Sequence, residues 1–386
     1  MPADFVPGNR LTLLNSGAEF FPALLIAISE ARRDVHLESY IFEHDSTGRA
    51  VADALIAAAR RGVAVRLLVD GFGTPAFADT LLPALTDAGV MAVVYRPDLA
   101  PFKLRRHRLR RLHRKLVIID GEIAFVGGIN IIDDLSPQGH LPPRFDYAVQ
   151  ISGPLLRTIQ STMRRLWEIV IWVKLKRRYR IANNPTPNPA PCGKQMAAFL
   201  VRDNIRHRRD IEEAYLVAIA SARKDILIAN AYFLPGRRFR RALGDAAQRG
   251  VRVTILLQGC IEYLLLHYAT QALYGNLLNA GIHIFEYHHS FLHAKVAVID
   301  EQWATVGSSN IDPFSLLLSK EANLIALDHE FAGQLRRSLE TAMHEGAREL
   351  LAEHWQQLPW YSRLLRWASY NLVRIAIGIS GYGGKH

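Results

Sequence analysis

Cysteine is nearly absent from this 386-residue chain, with only Cys192 and Cys260 present. That excludes a disulfide framework and a thiolate metal site, which need several cysteines at regular spacing. Long apolar runs are missing as well: no stretch reaches the ~18 uninterrupted apolar residues of a bilayer-spanning helix. The opening residues Met1, Pro2, Ala3, Asp4 and Phe5 lack the basic and apolar regions of a signal peptide, so residence on the cytoplasmic side is expected. Negative charge is in short supply too, with 36 Asp and Glu against 47 Lys and Arg, a formal charge of +11. Such an excess favours a polyanionic partner, either nucleic acid or an anionic membrane surface. Charged residues make up 22% and hydrophobic ones 49%, a globular composition with enough apolar surface for two domains.

What is present twice is a short motif. His113, Lys115 and Asp120 read H-x-K-x4-D, and His293, Lys295 and Asp300 repeat it 180 residues later. Gly127 and Gly307 follow seven residues after each Asp, and Asn130 and Asn310 lie seventeen residues beyond each His. The surroundings repeat too: residues 34–42 align with 225–233, 61–71 with 249–259, and 88–90 with 280–282. Each half therefore runs helix, strand, helix, strand, helix, strand and then the motif strand. Apolar runs at 67–69 and 255–257 suit central strands covered on both faces, and Ala-rich amphipathic stretches at 48–61 and 237–249 suit crossover helices. Gly62 and Gly250 are expected as helix C-caps, Gly71 and Gly259 as strand exits.

The predicted fold class is α/β. It comprises two duplicated domains, each a mostly parallel sheet flanked by helices, joined around a pseudo-twofold axis that brings both motifs to one cleft. Proline at alternate positions between residues 183 and 193 marks an extended connector. The expected division is a first domain over 1–182, a linker over 183–196, a second domain over 197–350 and a basic amphipathic tail over 351–386.

Period two on a strand puts His113 and Lys115 on one face, and likewise His293 and Lys295. An imidazole beside an ammonium makes a poor divalent-metal site, because lysine adds positive charge and no free lone pair. The pair suits a phosphate monoanion that a histidine attacks. One imidazole can then be the nucleophile while the other gives a proton to the departing alcohol and later takes one from the incoming alcohol. Both lysines would counter charge on the equatorial oxygens, helped by Asn130, Asn310 and Ser308 as donors. No cofactor and no metal is needed. Asp146 in the first half and Glu321 in the second are the carboxylates expected to hold the remote ring nitrogen of a histidine. Asp120 and Asp300 have the opposite strand parity and are expected as ion-pair partners that shape the site.

These elements closely resemble the phospholipase D superfamily. Its signature, H-x-K-x4-D followed by G-G/S-x-N, matches His113, Lys115, Asp120, Gly127, Gly128 and Asn130, and again His293, Lys295, Asp300, Gly307, Ser308 and Asn310. Within the superfamily the chain resembles bacterial cardiolipin synthases of the B type over most of its length. The resemblance implies transfer of a phosphatidyl group from phosphatidylglycerol or phosphatidylethanolamine to phosphatidylglycerol through a phosphatidyl-histidine. It implies His113 as nucleophile and His293 as acid and base. The implied partners are anionic phospholipid substrates and the bacterial inner membrane, met peripherally on its cytoplasmic side, since the N-terminal spanning helices of A-type relatives have no counterpart here. Competing readings are a phospholipase D with water as acceptor, a phosphodiester nuclease, and a non-catalytic membrane scaffold. Nucleic acid is the less favoured partner, because no finger, helix-turn-helix or RNA-binding pattern is present.

Three segments are candidates for lipid contact, and a fourth for a lip of the cleft. Arg105, Arg106, Arg108, Arg110 and Arg111, with Lys103 and Arg114, crowd around the first motif. There they would concentrate anionic lipid at ~1 kcal/mol per charge near the surface. Trp167 and Trp172, followed by Lys174 and Lys176, are expected as interfacial anchors. Arg363, Arg366, Trp367 and Arg374 punctuate an apolar stretch that reads as an interfacial helix. The apolar run at 261–268 follows a strand exit and is a candidate lipid-contacting lip.

Overall fold

The first half runs β1 (Val6–Asn15), α1 (Ser16–Glu30), β2 (Asp34–Ser39), α2 (Ser46–Arg60), β3 (Ala64–Asp70), the short α3 (Phe77–Thr80) and α4 (Leu82–Asp87), β4 (Met91–Tyr95), β5 (Lys115–Ile119), β6 (Ile123–Gly127), β7 (Tyr147–Ser152) and α5 (Leu156–Leu175). The second runs β8 (Gln195–Arg202), α6 (Asp210–Ser221), β9 (Asp225–Asn230), α7 (Arg237–Gln248), β10 (Arg252–Gln258), α8 (Leu264–Gln271), α9 (Tyr274–Asn279), β11 (His283–Tyr287), β12 (Lys295–Ile299), β13 (Trp303–Gly307), β14 (Glu321–Leu327) and α10 (His329–Gly346). Beyond it lie β15 (Ala347–Glu349), α11 (Ala352–Gln356) and α12 (Trp360–Ile377). This computed structural model describes residues 3–97, 111–133, 143–175, 189–203, 206–312, 319–357 and 359–377.

Among the described residues, all the strands join one 15-stranded sheet in the order β15, β11, β10, β9, β12, β13, β14, β8, β1, β7, β6, β5, β2, β3, β4. Leaving out β15, the order is palindromic about the antiparallel β8–β1 contact, which is what a duplication around a twofold axis produces. The expected α/β halves are present, but among the described strands parallel pairing joins only β2, β3 and β4 and β9, β10 and β11. The motif strands β5 and β12 are antiparallel to both neighbours. The direction follows from the connections. Parallel neighbours need a crossover, here supplied by helices such as α2 and α7, whereas β5 and β6 are joined by a tight turn. In that turn Asp120 and Gly121 both adopt positive φ, 53° and 65°. Gly62 and Gly250 end α2 and α7 in the left-handed region, at φ 89° and 85°, as a C-cap requires. The sequence reading missed β1 and β8, the strands that open each half and join them.

Outer helices α1, α2 and α4 seal one apolar cluster against the first half-sheet, and α6, α7 and α9 seal another against the second. A third cluster belongs to both halves. Leu116, Val126 and Val149 of the first pack in it with Val296, Val306 and Leu324 of the second, closed by Met163 of α5 and Leu335 of α10. The active-site strands therefore rest on a core that neither half completes by itself. Of the expected linker, residues 183–188 lie outside the described residues, and Cys192 N–H bonds the Gly8 carbonyl at 3.0 Å on the way into β8.

Several expected lipid contacts are corrected by their burial. Trp167 is fully buried, packed edge-on to His36 at 5.4 Å in a cluster with Leu68, Val93 and Leu112. Its neighbour Trp172 is 56% exposed on the same helix. An amphipathic helix shows the same pattern in sequence whether its apolar face meets lipid or core, and here the core takes Trp167. Arg114 is buried against Glu38, with Nε to Oε2 at 2.9 Å, on the face opposite His113 and Lys115. Arg366 is drawn inward too: its Nε donates to Gln271 at 2.9 Å and its guanidinium lies over the Trp355 ring, tying α12 to α8. Arg105, Arg106, Arg108 and Arg110 lie outside the described residues.

Trp167→Ala is expected to lower the unfolding free energy by ~3–5 kcal/mol, the usual cost of emptying a buried aromatic site. Chemical denaturation measures this, and a variant with unchanged stability but weakened lipid binding would restore the interfacial role.

Candidate active site

Both motif histidines stand just before their strands, where a backbone bridge from the opposite half fixes each loop. In one, His113 N–H donates to the Lys320 carbonyl at 3.0 Å and Lys320 N–H returns a bond to Arg111 at 2.8 Å. In the other, His293 N–H donates to Phe145 at 2.8 Å and Phe145 N–H to Phe291 at 2.9 Å. The residue after each bridge is a carboxylate. Glu321 Oε2 lies 3.0 Å from His113 Nδ1, and Asp146 Oδ2 lies 2.6 Å from His293 Nδ1. Each half thus lends its carboxylate to the other half's histidine. Sequence reasoning named both carboxylates, but its half-by-half comparison did not anticipate the exchange, which local periodicity does not encode.

A carboxylate on Nδ1 fixes the tautomer with the proton on that nitrogen and leaves Nε2 as a lone pair. Lys115 and Lys295 fold back so that each ammonium donates to the carbonyl of its own motif histidine. Lys295 also lies 3.8 Å from Asp146, and Lys115 sits over the Tyr40 ring, which in turn packs edge-on to His113 at 4.6 Å. Tyr40 escaped the sequence reading, because the repeat places Ala231 rather than an aromatic residue at the matching position.

Burial sets the electrostatics. It lowers the His113 pKa, against the pull of Glu321, and pushes His293 down to about 3, with Lys295 adding to the effect. Burial likewise brings Lys115 down to about 7, with Lys295 lowering it further, and Lys295 to about 8, with Arg144 adding to the effect. Desolvation would raise Asp146, but Lys295 and His293 outweigh it and hold the carboxyl below the usual carboxylate range. Two neutral imidazoles and two ammonium groups with depressed pKa values, set beside the carboxylates of Asp146 and Glu321, make a buried site whose protonation responds to an added anion.

The remaining candidates divide. Ser308 is buried and donates to Glu321 at 2.6 Å, so it fixes the carboxylate instead of facing a substrate oxygen. Its counterpart Gly128 has no room for a side chain, since a Cβ there would stand 2.3 Å from Asp146 Oδ1. Asn130 accepts from Ile41 N–H at 3.3 Å, and the matching Asn310 carries a buried Oδ1 with no partner. Asp120 and Asp300 are not in the cleft. They close the far ends of β5 and β12, where Asp120 accepts from the N–H groups of Arg32, Arg33 and Asp34, and Asp300 from those of Arg223, Lys224 and Asp225. The expected ion-pair role at the site is therefore corrected: both lie in the turns that end the motif strands and pin the entry to β2 and β9. Arg111 does reach the cleft side, over the Phe72 ring at 4.9 Å and 3.9 Å from the buried Asp70.

Comparison with known families agrees with this arrangement. A family model described as cardiolipin synthase, PLD-like domain, matches residues 24–137 and 215–343, which take in both motifs. The chain belongs to this family. It is 39% identical to cardiolipin synthase B of Escherichia coli K12 over 349 residues, covering 88% of this chain and 81% of that protein. To cardiolipin synthase B of Salmonella typhimurium it is 37% identical over 98% of this chain and 91% of the relative. The major cardiolipin synthase of Bacillus subtilis is 32% identical over 86% of this chain and 68% of its own length. Among solved structures, phosphatidylserine synthase from Haemophilus influenzae matches with a TM-score of 0.71 at 15% identity, covering 96% of this chain and 94% of that one, a likeness of fold.

Anion binding in this cleft should be linked to protonation of the lysines. Sulfate keeps a fixed charge across the range, so its affinity reports the site alone. It is expected to bind most tightly below about pH 7 and to weaken as pH rises past about 7 and then about 8. Each lysine then contributes up to ~10-fold per pH unit. Calorimetric titration at a series of pH values measures this, and a flat profile would mean that neither ammonium meets the anion.

Proposed function

We propose that this protein is a phosphatidyltransferase that makes cardiolipin by joining two phosphatidylglycerol molecules, or phosphatidylethanolamine and phosphatidylglycerol. The observation that carries this reading is the pair of imidazoles held by crossed carboxylates and flanked by two buried ammonium groups. Strong similarity to cardiolipin synthase B proteins over most of the chain supports the substrate class.

In the proposed reaction the donor phosphodiester sits between Lys115 and Lys295, with Asn130 and Asn310 as further donors. His113 Nε2 attacks phosphorus, forming a P–N bond as the bond to the alcohol oxygen breaks, while Glu321 steadies the growing imidazolium through Nδ1. Protonated His293 gives its Nε2 proton to the departing glycerol or ethanolamine. The neutral His293 then takes the proton of a phosphatidylglycerol hydroxyl as that oxygen attacks phosphorus and releases His113. Burial is the main cause that keeps His293 unprotonated; the phosphodiester anion offsets the lysine charges that add to it and favours the protonated ring. Asp146 stabilises the imidazolium that results.

The setting we propose is the surface of the bacterial inner membrane, met peripherally from the cytoplasmic side. No helix among the described residues is long and apolar enough to cross a bilayer. Supporting peripheral contact, α12 exposes Trp360, Leu364, Trp367 and Leu372, and the adjoining α8 segment exposes Ile261, Tyr263 and Leu264. Arg363 and Arg374 stand exposed beside the aromatic residues of α12.

His113→Ala and His293→Ala are each expected to abolish turnover of detergent-dispersed phosphatidylglycerol. His293→Ala should still accumulate a lipid adduct on His113, detected by peptide mass spectrometry; an adduct on His293 in His113→Ala would reverse the roles. Product identity tests the class: cardiolipin with released alcohol supports the transferase, phosphatidic acid alone indicates a hydrolase, and cleavage of oligonucleotides without lipid turnover would sink the lipid reading. Glu321→Gln and Asp146→Asn should each slow turnover by ~10²–10⁴-fold through loss of the tautomer lock. Replacing Arg363 and Arg374 together by Ala should weaken binding to phosphatidylglycerol vesicles about 30-fold, at ~1 kcal/mol per charge. A sedimentation assay that shows no change would move the contact surface elsewhere.

A further inference from the structure

The two sides of the cleft are alike where they hold phosphate and unlike beyond it. On the His293 side, Arg144 and Glu262 form a partly open ion pair, Nη2 to Oε1 at 3.5 Å, with side chains 23% and 24% exposed. Tyr232 donates its hydroxyl to the other carboxylate oxygen of Glu262 at 2.5 Å. Both partners flank the catalytic loop directly. Arg144 immediately precedes Phe145, whose backbone clasps Phe291 and His293, and Tyr232 follows Ala231, whose N–H bonds the Ala294 carbonyl at 2.9 Å. The charges of Glu262 and Arg144 both act on Lys295, which places the pair within electrostatic reach of the phosphate position.

Among the described residues, the His113 side has no open counterpart: its own charge pair, Arg111 at 3.9 Å from Asp70, is built on an enclosed carboxylate. The repeat matches Glu262 with Thr74, whose hydroxyl is sealed onto the Asp70 carbonyl, and matches Arg144 with Ser319. Asp70 itself is fully buried, its oxygens taken by the N–H groups of Phe72 and Leu112. An open carboxylate near a phosphate-binding centre opposes anion binding, so it needs something else to recognise. A partly exposed Glu beside an Arg offers an acceptor and a donor side by side. A vicinal diol, whose hydroxyls both accept and donate, matches that pair. An ammonium headgroup matches it less well, because it only donates and would meet the Arg144 charge.

We propose that Arg144 and Glu262 form a diol clamp that reads the glycerol hydroxyls of the alcohol leaving, and of the alcohol entering, at His293. The inference rests on the assignment of His293 as the acid and base of a phosphatidyl transfer. It adds a specificity-determining pair to that reaction: Arg144 donates to one hydroxyl, Glu262 accepts from its neighbour, and Tyr232 holds the Glu262 carboxylate in place.

Because glycerol is the leaving group, microscopic reversibility requires that free glycerol also attack the phosphatidyl-histidine. The full-length protein is given detergent-dispersed phosphatidylglycerol with isotope-labelled glycerol and ethanol together, and labelled phosphatidylglycerol and phosphatidylethanol are quantified by mass spectrometry. Ethanol carries no second hydroxyl, so the product ratio reports diol recognition independently of overall rate. Glu262→Gln is expected to lower the glycerol-to-ethanol ratio about tenfold or more. Glu262→Asp should recover part of the ratio, and thermal unfolding checks that both variants are folded. An unchanged ratio, at whatever total rate, or loss of both products together, would reduce Glu262 to a partner that merely orders Tyr232 and Arg144 and would overturn the clamp. If the unaltered protein labels neither product, the transferase reading itself falls, and the clamp with it.

Discussion

Two carboxylate–imidazole bonds that cross between the halves are the constraint on which the site depends. Each is set by a backbone bridge one residue earlier: Phe145 clasps the His293 loop and then presents Asp146, while Lys320 clasps the His113 loop and then presents Glu321. Neither half holds a working histidine alone. The apolar cluster shared by β5, β6 and β7 with β12, β13 and β14 keeps the crossing in register. A shift between the half-sheets would free both imidazoles to rotate, so the energetics of core packing and the tautomer of each histidine are one problem.

Much of this was legible in the chain because duplication turns weak signals into strong ones. Strand parity placed His113 with Lys115 and His293 with Lys295 on one face, and the paired glycines at 62 and 250 located the ends of equivalent helices. What parity could not supply was position along the strand. It separated Asp120 and Asp300 from the histidines, yet their carboxylates lie at the opposite strand ends, gripping three backbone N–H groups each. Strand direction was equally hidden, since an apolar run looks the same in parallel and antiparallel pairs, and only the length of the connection decides. Trp167 was ambiguous for a related reason: the amphipathic signature of α5 is satisfied by a core as well as by a bilayer, and His36 with Leu68 and Val93 had already built the core.

A duplicated site must still perform unequal tasks, and the departures from symmetry sit where they matter. The longer carboxylate, Glu321, is fixed by the Ser308 hydroxyl; the shorter one, Asp146, lies where Gly128 leaves space. Tyr40 packs on His113 and Lys115, and the repeat has no aromatic residue at the matching place beside His293. The open charge pair stands on the His293 side instead. The two imidazoles are about equally exposed, so the asymmetry lies in their neighbours: an aromatic ring packs on His113, and the open charge pair stands beyond the loop that carries His293.

The charges themselves explain how one of two buried imidazoles gains a proton. When both are protonated, Lys115 and Lys295 bring two positive charges into the cleft and Asp146 and Glu321 two negative ones, so with neutral histidines the buried group is balanced. A phosphodiester monoanion adds one negative charge in a region where uncompensated charge is costly. Uptake of a single proton restores the balance. Under the proposed roles, that proton cannot reside on the nitrogen that attacks phosphorus, which leaves His293, whose Asp146 partner stabilises the cation. Substrate binding would therefore arm the acid, and the low proton affinity of His293 is no obstacle to its role.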